Sequence, residues 1–190
     1  MDIPMNAPLV YVTFSAEINV NTTESLIAAM AGLVNLKVQK VSLLFSTPGG
    51  TVMHGMNLYN VLKGMPFELS IHNVGNVDSI GNAIFLAGKK RYATKHATFM
   101  FHGVGFGANQ NDRFEEKNLR ERLDGLMSDQ RRIGNIISEN TKLSDTEVAD
   151  LFREAQTKDA GYAIDKGIIH EVRDVQVPMG CPVLSLVFKR

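Results

Sequence analysis

The chain has 190 residues, 44% hydrophobic and 21% charged, and its 20 basic and 20 acidic side chains balance to a net charge of zero. This supports one good core over 1–190 without a linker, and a neutral balance argues against a large nucleic-acid footprint. The lone Cys181 excludes an internal disulfide, no Cys/His cluster has metal-ligand spacing, and neither a signal peptide nor a membrane-length apolar run is present, so a cytoplasmic protein needing no cofactor is expected.

Leu9 to Phe14 reads as a first strand. Asn21-Thr22-Thr23-Glu24 has the form of a capping box before a helix ending near Leu36. Val41 to Phe45 suits a strand buried on both faces, leaving through Gly49-Gly50 into a helix from about Thr51 to Lys63. Phe67 to Asn73 reads as the next strand. Ser79 to Ala87 is nearly all small or apolar, which predicts a deeply buried helix stopped by Gly88. Short strands are expected near Arg91 to Ala93 and Thr98 to Phe101.

The loop Gly103 to Asn111 is rich in glycine and asparagine. Asp112 to Asn140 then reads as one long charged helix with Leu119, Leu123, Leu126, Met127, Ile133 and Ile137 on one stripe. Gly125 and Gly134 inside it each cost about 1 kcal/mol relative to alanine. Ser144-Asp145-Thr146-Glu147 is a second capping box, opening a helix towards Glu154. Asp159 to Lys166 predicts another short helix, and Ile168 to Val172 a closing strand. Alternating strands and helices imply an α/β domain with a parallel sheet.

Three stretches carry chemistry. Ser79 lies at a strand-to-helix turn, His102 ends the apolar strand Phe99-Met100-Phe101, and Gly49-Gly50 can offer backbone NH groups to an oxyanion. Serine is a weak nucleophile until a base takes its proton, so the pair matters more than either member. Taken singly, each has an ordinary structural explanation: a helix-capping hydroxyl, a satisfied core histidine and a Pro-Gly-Gly turn. Their order along one sheet edge favours a shared crevice.

The stretch Phe45 to His102 resembles the proteolytic subunit of the Clp protease, ClpP, and its wider serine-peptidase family. The resembling motifs are Ser46-Thr47-Pro48-Gly49-Gly50, Gly75-Asn76-Val77-Asp78-Ser79-Ile80-Gly81 and Phe99-Met100-Phe101-His102, with a weaker likeness from Leu9 to about Val172. The resemblance implies a ClpP/crotonase-like fold of repeated strand-helix units with a projecting handle helix. It implies a serine endopeptidase acting on unfolded polypeptides or short peptides through an acyl-enzyme. Ser79 would be the nucleophile and His102 the base. Gly50 and Ile80 would supply the oxyanion donors, and the segment with Gly49 and Thr51 would pair with the substrate. The handle implies a homo-oligomer, as a ring or stacked rings.

The chain also departs from the family pattern. Thr47 stands where the family has serine, and Asp78 where it has a small apolar residue. A gapless comparison puts Ala155 at the place of the triad aspartate, so Glu154 becomes the candidate third member, followed by Asp159 and Asp150. The first strand begins almost at once, which leads us to expect no dependence on an ATP-driven unfoldase. Other readings stay open: a non-catalytic assembly subunit with a decayed triad, an acyl-CoA enzyme of crotonase type, or a Ser-Lys dyad drawing on Lys89, Lys90 or Lys95.

Overall fold

The computed structural model describes residues 3–107 and 113–188. In chain order it contains β1 (Val10–Ser15), α1 (Val20–Asn35), β2 (Lys40–Thr47), α2 (Val52–Lys63), β3 (Glu68–Asp78), α3 (Gly81–Phe85) and β4 (Lys90–Ala93). There follow β5 (Thr98–Met100), α4 (Glu116–Asn140), α5 (Asp145–Glu154), β6 (Thr157–Asp159), α6 (Ala160–Asp165), β7 (Glu171–Val172) and β8 (Val183–Ser185). The described strands form one sheet in the order β6-β5-β3-β2-β1-β8, with β4 also on β3 and β7 on β4. Every pairing is parallel except β5 with β6. This is the α/β arrangement expected from strand-helix alternation. Fully buried aromatics, among them Phe14, Phe45, Phe85 and Phe99, fill the core.

Several boundaries move for identifiable reasons. The cap of α1 is Asn19, which accepts from the Thr22 NH at 3.1 Å while Thr22 Oγ1 accepts from the Asn19 NH, so the box lies two residues earlier than predicted. Helix α3 is far shorter than the predicted Ser79–Ala87, although all five of its residues are buried. Strand β3 continues past Asn73 to Asp78 because it changes partner on the way: Ser70 to Asn73 pair with β4, and Asn76 to Asp78 with β5. Asn73, fully buried, holds the branch by donating Nδ2 to the Thr98 carbonyl (2.8 Å) and accepting the Gly75 NH (3.0 Å).

The predicted opening of the long helix at Asp112 lies outside the described residues, and α4 is helical from Glu116. Its stripe is divided. Ile133 and Ile137 are buried, whereas Leu119, Leu123 and Met127 are each about half exposed. The root of α4 is fixed by Arg91, which is buried and hydrogen-bonded to carbonyls alone. Its guanidinium donates to Gly88, Asn140, Gly167 and Ile168 at 2.7 to 3.3 Å. These carbonyls lie at or just beyond the C-terminal ends of α3, α4 and α6, of which only the 25-residue α4 is long enough for its dipole to favour the cation. The charge is thus satisfied by main chain, and three helices are pinned at one point. We expect Arg91→Met to lower stability by about 2–3 kcal/mol in urea unfolding, since those carbonyls lose a charged donor.

Strands β6 and β8 carry no signal in the sequence pattern. The segment leading to β8 passes His72 on β3, whose Nε2 lies 3.0 Å from the Arg173 carbonyl and must carry the hydrogen. Burial pushes the His72 pKa below its ordinary value; the bond to the Arg173 carbonyl opposes this, as do Asp174 and Glu171, while the charge of Arg173 adds to it. The folded pKa therefore lies below the unfolded one. Stability is complete above about pH 6.5 and is lost as pH falls through the depressed value, because the unfolded chain binds the proton first. Urea titrations between about pH 7.5 and 5.5 are expected to show this slope, and His72→Gln to flatten it.

Candidate active site

Ser79 is the first residue beyond β3, and its backbone sits in the left-handed region at φ 56°. For a residue other than glycine such a conformation costs on the order of 1 kcal/mol or more and persists only under constraint. The constraint comes from both of its peptide groups. The Ser79 NH donates to the Met100 carbonyl at 2.8 Å, and the Ser79 carbonyl accepts from both the backbone NH and the side-chain Nδ2 of Asn82, each at 3.1 Å. The turn that begins α3 is therefore tied to the end of β5, two residues before His102.

Glycines make room for this turn. A Cβ on Gly49 (φ 88°) would lie 2.6 Å from Ser79 Cβ, and one on Gly50 (φ 147°) 2.2 Å from the Ile18 carbonyl oxygen. Thr47, the departure from the family's serine, uses both ends of its side chain. Its hydroxyl accepts the Gly49 NH at 3.1 Å, and its methyl packs where a Cβ on Gly81 would come within 2.4 Å. A threonine at this place thus keeps the hydroxyl's bond and gains a contact with the nucleophile turn.

Ile18 pairs with Gly50 as an isolated parallel bridge: the Ile18 NH donates to Gly49 O and the Thr51 NH to Ile18 O, both at 2.8 Å. In such a bridge the polar groups of Gly50 itself face the other way. Among the described residues the NH groups of Gly50 and Ile80 donate to nothing, and both residues line one cleft. Helix α3 is too short for a macrodipole of consequence, so any oxyanion stabilisation rests on these two NH groups rather than on the helix.

The cleft, about 90 Å³, is lined by Gly50, Val52, Ser79, Ile80, His102, Gly103, Val104, Gly105, Ile133 and Phe152. The structure therefore brings Ser79, His102, Gly50 and Ile80 together. Ser79 and His102 make no hydrogen bond to each other among the described residues, and bonds of this kind often form only when substrate is bound. Phe152, Val104 and Gly105 were not singled out from the sequence. Phe152 belongs to α5 and reaches the cleft through tertiary packing alone.

Glu154 is a different matter. The backbone brackets His102 with this segment, because the Phe101 NH donates to Gln156 O (3.1 Å) and the Gly103 NH to Phe152 O (3.0 Å). The chain between them, Arg153 to Ala155, lies across from the histidine. The Glu154 side chain nonetheless accepts from Gln156 Nε2, outside the cleft lining. Ala155 takes a left-handed conformation (φ 50°) as the C-cap of α5. Asp159 caps α6 by accepting the Tyr162 NH at 2.8 Å, and Asp150 pairs with Arg153. No carboxylate is hydrogen-bonded to His102 among the described residues. Asp78 stays inside its own turn, where it accepts from Asn76 Nδ2 at 2.6 Å.

Gly49 and Thr51 adjoin Gly50, but their main-chain groups are committed: the Gly49 NH to Thr47, its carbonyl to Ile18, the Thr51 NH to Ile18 and its carbonyl to Gly55. The substrate pairing expected of these two residues thus finds their main-chain groups occupied, while those of Gly50 between them are unbonded among the described residues. No group of three or more His, Cys, Asp or Glu able to hold a metal occurs among the described residues, and none of their helices is long and apolar enough to cross a membrane.

On this mostly parallel sheet a left-handed serine, a histidine and two unbonded NH groups thus line one cleft. The Clp protease family model matches residues 9–176, and the chain belongs to that family, with its mixed α/β fold. Its relatives include an "ATP-dependent Clp protease proteolytic subunit 1" of Corynebacterium jeikeium, 38% identical over 34% of this chain and 38% of that protein. The protein of the same name in Leifsonia xyli subsp. xyli is 28% identical over 70% of this chain and 67% of its own length. The "ATP-dependent Clp protease proteolytic subunit 2" of Corynebacterium diphtheriae is 26% identical over 73% and 69%. The matched stretch thus spans from little more than a third to about two thirds of these relatives.

The fit at Gly50 makes a local prediction. Gly50→Ala sets a Cβ against the Ile18 carbonyl and is expected to cost about 2 kcal/mol or more in thermal or urea unfolding. A wild-type melting curve in that variant would show that the bridge at Ile18 yields to a methyl group.

Proposed function

We propose that the protein is a serine endopeptidase that cleaves unfolded polypeptides or short peptides through an acyl-enzyme. The observation that carries this is the left-handed Ser79 on one cleft with His102 and the unbonded NH groups of Gly50 and Ile80. Ser79 Oγ attacks the scissile carbonyl carbon while His102 takes its proton. The oxygen that becomes negative is met by the Gly50 and Ile80 NH groups, each worth ~3 kcal/mol to the transition state. The tetrahedral intermediate collapses, His102 protonates the departing amine, and water activated by the same imidazole hydrolyses the ester and restores Ser79.

An extended substrate finds two open backbone stretches here, Gly50 and the chain through Val104 and Gly105, whose own NH and C=O groups are unpaired among the described residues. Strand addition of this kind derives affinity from main-chain hydrogen bonds and explains tolerance of sequence. The half-exposed Leu119, Leu123 and Met127 of α4 support a homo-oligomer in which a neighbouring subunit covers them.

Glu154 is the carboxylate assigned to orient His102, after exchanging its bond to Gln156. With that exchange required, the resting site is a Ser79–His102 dyad. A fluorophosphonate probe followed by intact-mass measurement tests the whole assignment: the wild type is labelled once, and Ser79→Ala and His102→Ala are not. Labelling of Ser79→Ala removes that residue from the role, and an unreactive wild type that still assembles makes the chain a non-catalytic subunit. Glu154→Gln is expected to slow acylation less than about tenfold, far from the ~10⁴-fold loss when a fully engaged triad carboxylate is neutralised.

A further inference from the structure

We propose that Asn82 is a positioning residue for acylation: its side-chain amide fastens the nucleophile turn to the strand end that carries His102 and so sets the geometry between the two. This rests on the hydrolase reading above and adds to it a residue that touches neither substrate nor reacting atoms.

Asn82, in the first turn of α3, is 2% exposed, and its Nδ2 donates to the Met100 carbonyl at 2.8 Å and to the Ser79 carbonyl at 3.1 Å. The Met100 carbonyl also accepts the Ser79 NH at 2.8 Å. One acceptor on β5 thus receives both the nucleophile's own amide and the side chain that grips the nucleophile's carbonyl. His102 lies two residues further along the same backbone. Rotation of Ser79 out of its left-handed conformation must break bonds on both sides of the residue. A shift of β5 relative to the turn must break the bonds at Met100.

The other end of the amide strengthens the case. Asn82 Oδ1 is buried and has no hydrogen-bond partner among the described residues. Reversing the amide does not help, because it would set Oδ1 against two carbonyl oxygens while leaving the donors unused. An alanine would suit this buried helix, otherwise Gly, Ala, Ile and Phe, with no orphaned acceptor. A side chain that carries such a defect in a tightly packed place is accounted for by what its other end holds, and local violations of this kind concentrate at functional sites.

The test compares the wild-type full chain with Asn82→Ala and Asn82→Ser, measuring the second-order rate of fluorophosphonate labelling, kcat and KM on a fluorogenic peptide, and Tm. In Asn82→Ala, labelling and kcat are expected to fall about 10- to 100-fold with KM within about twofold, the scale of an ångström-level misplacement of reacting groups. Its Tm is expected to stay level or rise, because the orphaned acceptor is gone. The serine hydroxyl can reach the Ser79 carbonyl three residues back but not Met100, so Asn82→Ser is expected to fall between the two. A wild-type labelling rate in Asn82→Ala overturns the proposal. So does a rate loss that tracks a loss of Tm across both variants, which makes Asn82 a structural residue. A wild type that is never labelled overturns the hydrolase reading itself, whereas labelled wild type with unaffected variants overturns this inference alone.

Discussion

The carbonyl of Met100 is the point on which the candidate site depends. Strand β3 delivers Ser79 and strand β5 delivers His102, and the two strands are in register only over Asn76–Thr98, Val77–Phe99 and Asp78–Met100. The Ser79 NH continues that ladder by one bond, to Met100 O, before the chain turns into α3. A parallel ladder advances both chains in the same direction, so the residues just past its end emerge on the same edge of the sheet. Ser79 and His102 thus reach one cleft because a short parallel pairing ends one residue before the first and two residues before the second.

That pairing exists because β3 serves two partners in succession. Its first half lies on β4 and its second on β5, and Asn73 bridges the transition while the β2–β3 register shifts between Phe45 and Thr47. The sequence pattern ends the strand at Asn73, since Asn73, Gly75 and Asn76 interrupt the apolar run. Asparagine and glycine are reasonable signs of a turn when only local chemistry is considered. They are equally what a strand needs when it must shed one neighbour, approach Ser46 closely at Gly75, and gain another. Nothing along the chain distinguishes the two cases, because the deciding partner, Thr98, is remote.

The same division explains what could be read of the site. Ser79, His102 and Gly50 follow from ordered motifs whose chemistry is local: a hydroxyl at a strand end, an imidazole after an apolar run, a glycine pair; Ile80 follows only from the family resemblance. Asn82 and Phe152 carry no such signal, since the first looks like a polar interruption in a buried helix and the second like one more core aromatic. Glu154 is a candidate because Ala155 cannot orient an imidazole, and the backbone does carry its segment past His102. Where its carboxylate turns is fixed by Gln156, a neighbour whose competing amide is visible in the sequence but whose preference is a matter of rotamers. Sequence thus bounds which residues can meet, while hydrogen-bond competition decides which do.

Helix α4 links the site to whatever lies beyond one subunit. Its root is buried through Ile133, Ile136 and Ile137, and Ile133 forms part of the cleft wall, while the N-terminal half extends with Leu119 and Leu123 in solvent. A helix held at one end acts as a lever, so the cleft wall is only as well defined as that root. Arg91 supplies part of the definition by binding the Asn140 carbonyl, and the contact of Gly134 with Val148 and Phe152 of α5 supplies another part. A methyl group on Gly134 would meet Val148 Cγ1 at 3.7 Å and Phe152 Cε2 at 3.8 Å, ordinary van der Waals contact, so packing against α5 does not itself require a glycine in this helix interior. A methyl group on Gly125, further out, would meet nothing within 4 Å, so both glycines lower the intrinsic helix preference of α4. The helix is therefore anchored where it borders the cleft, through its buried isoleucines and the Asn140 carbonyl, while its uncovered apolar stripe lies in the distal half, away from the cleft wall.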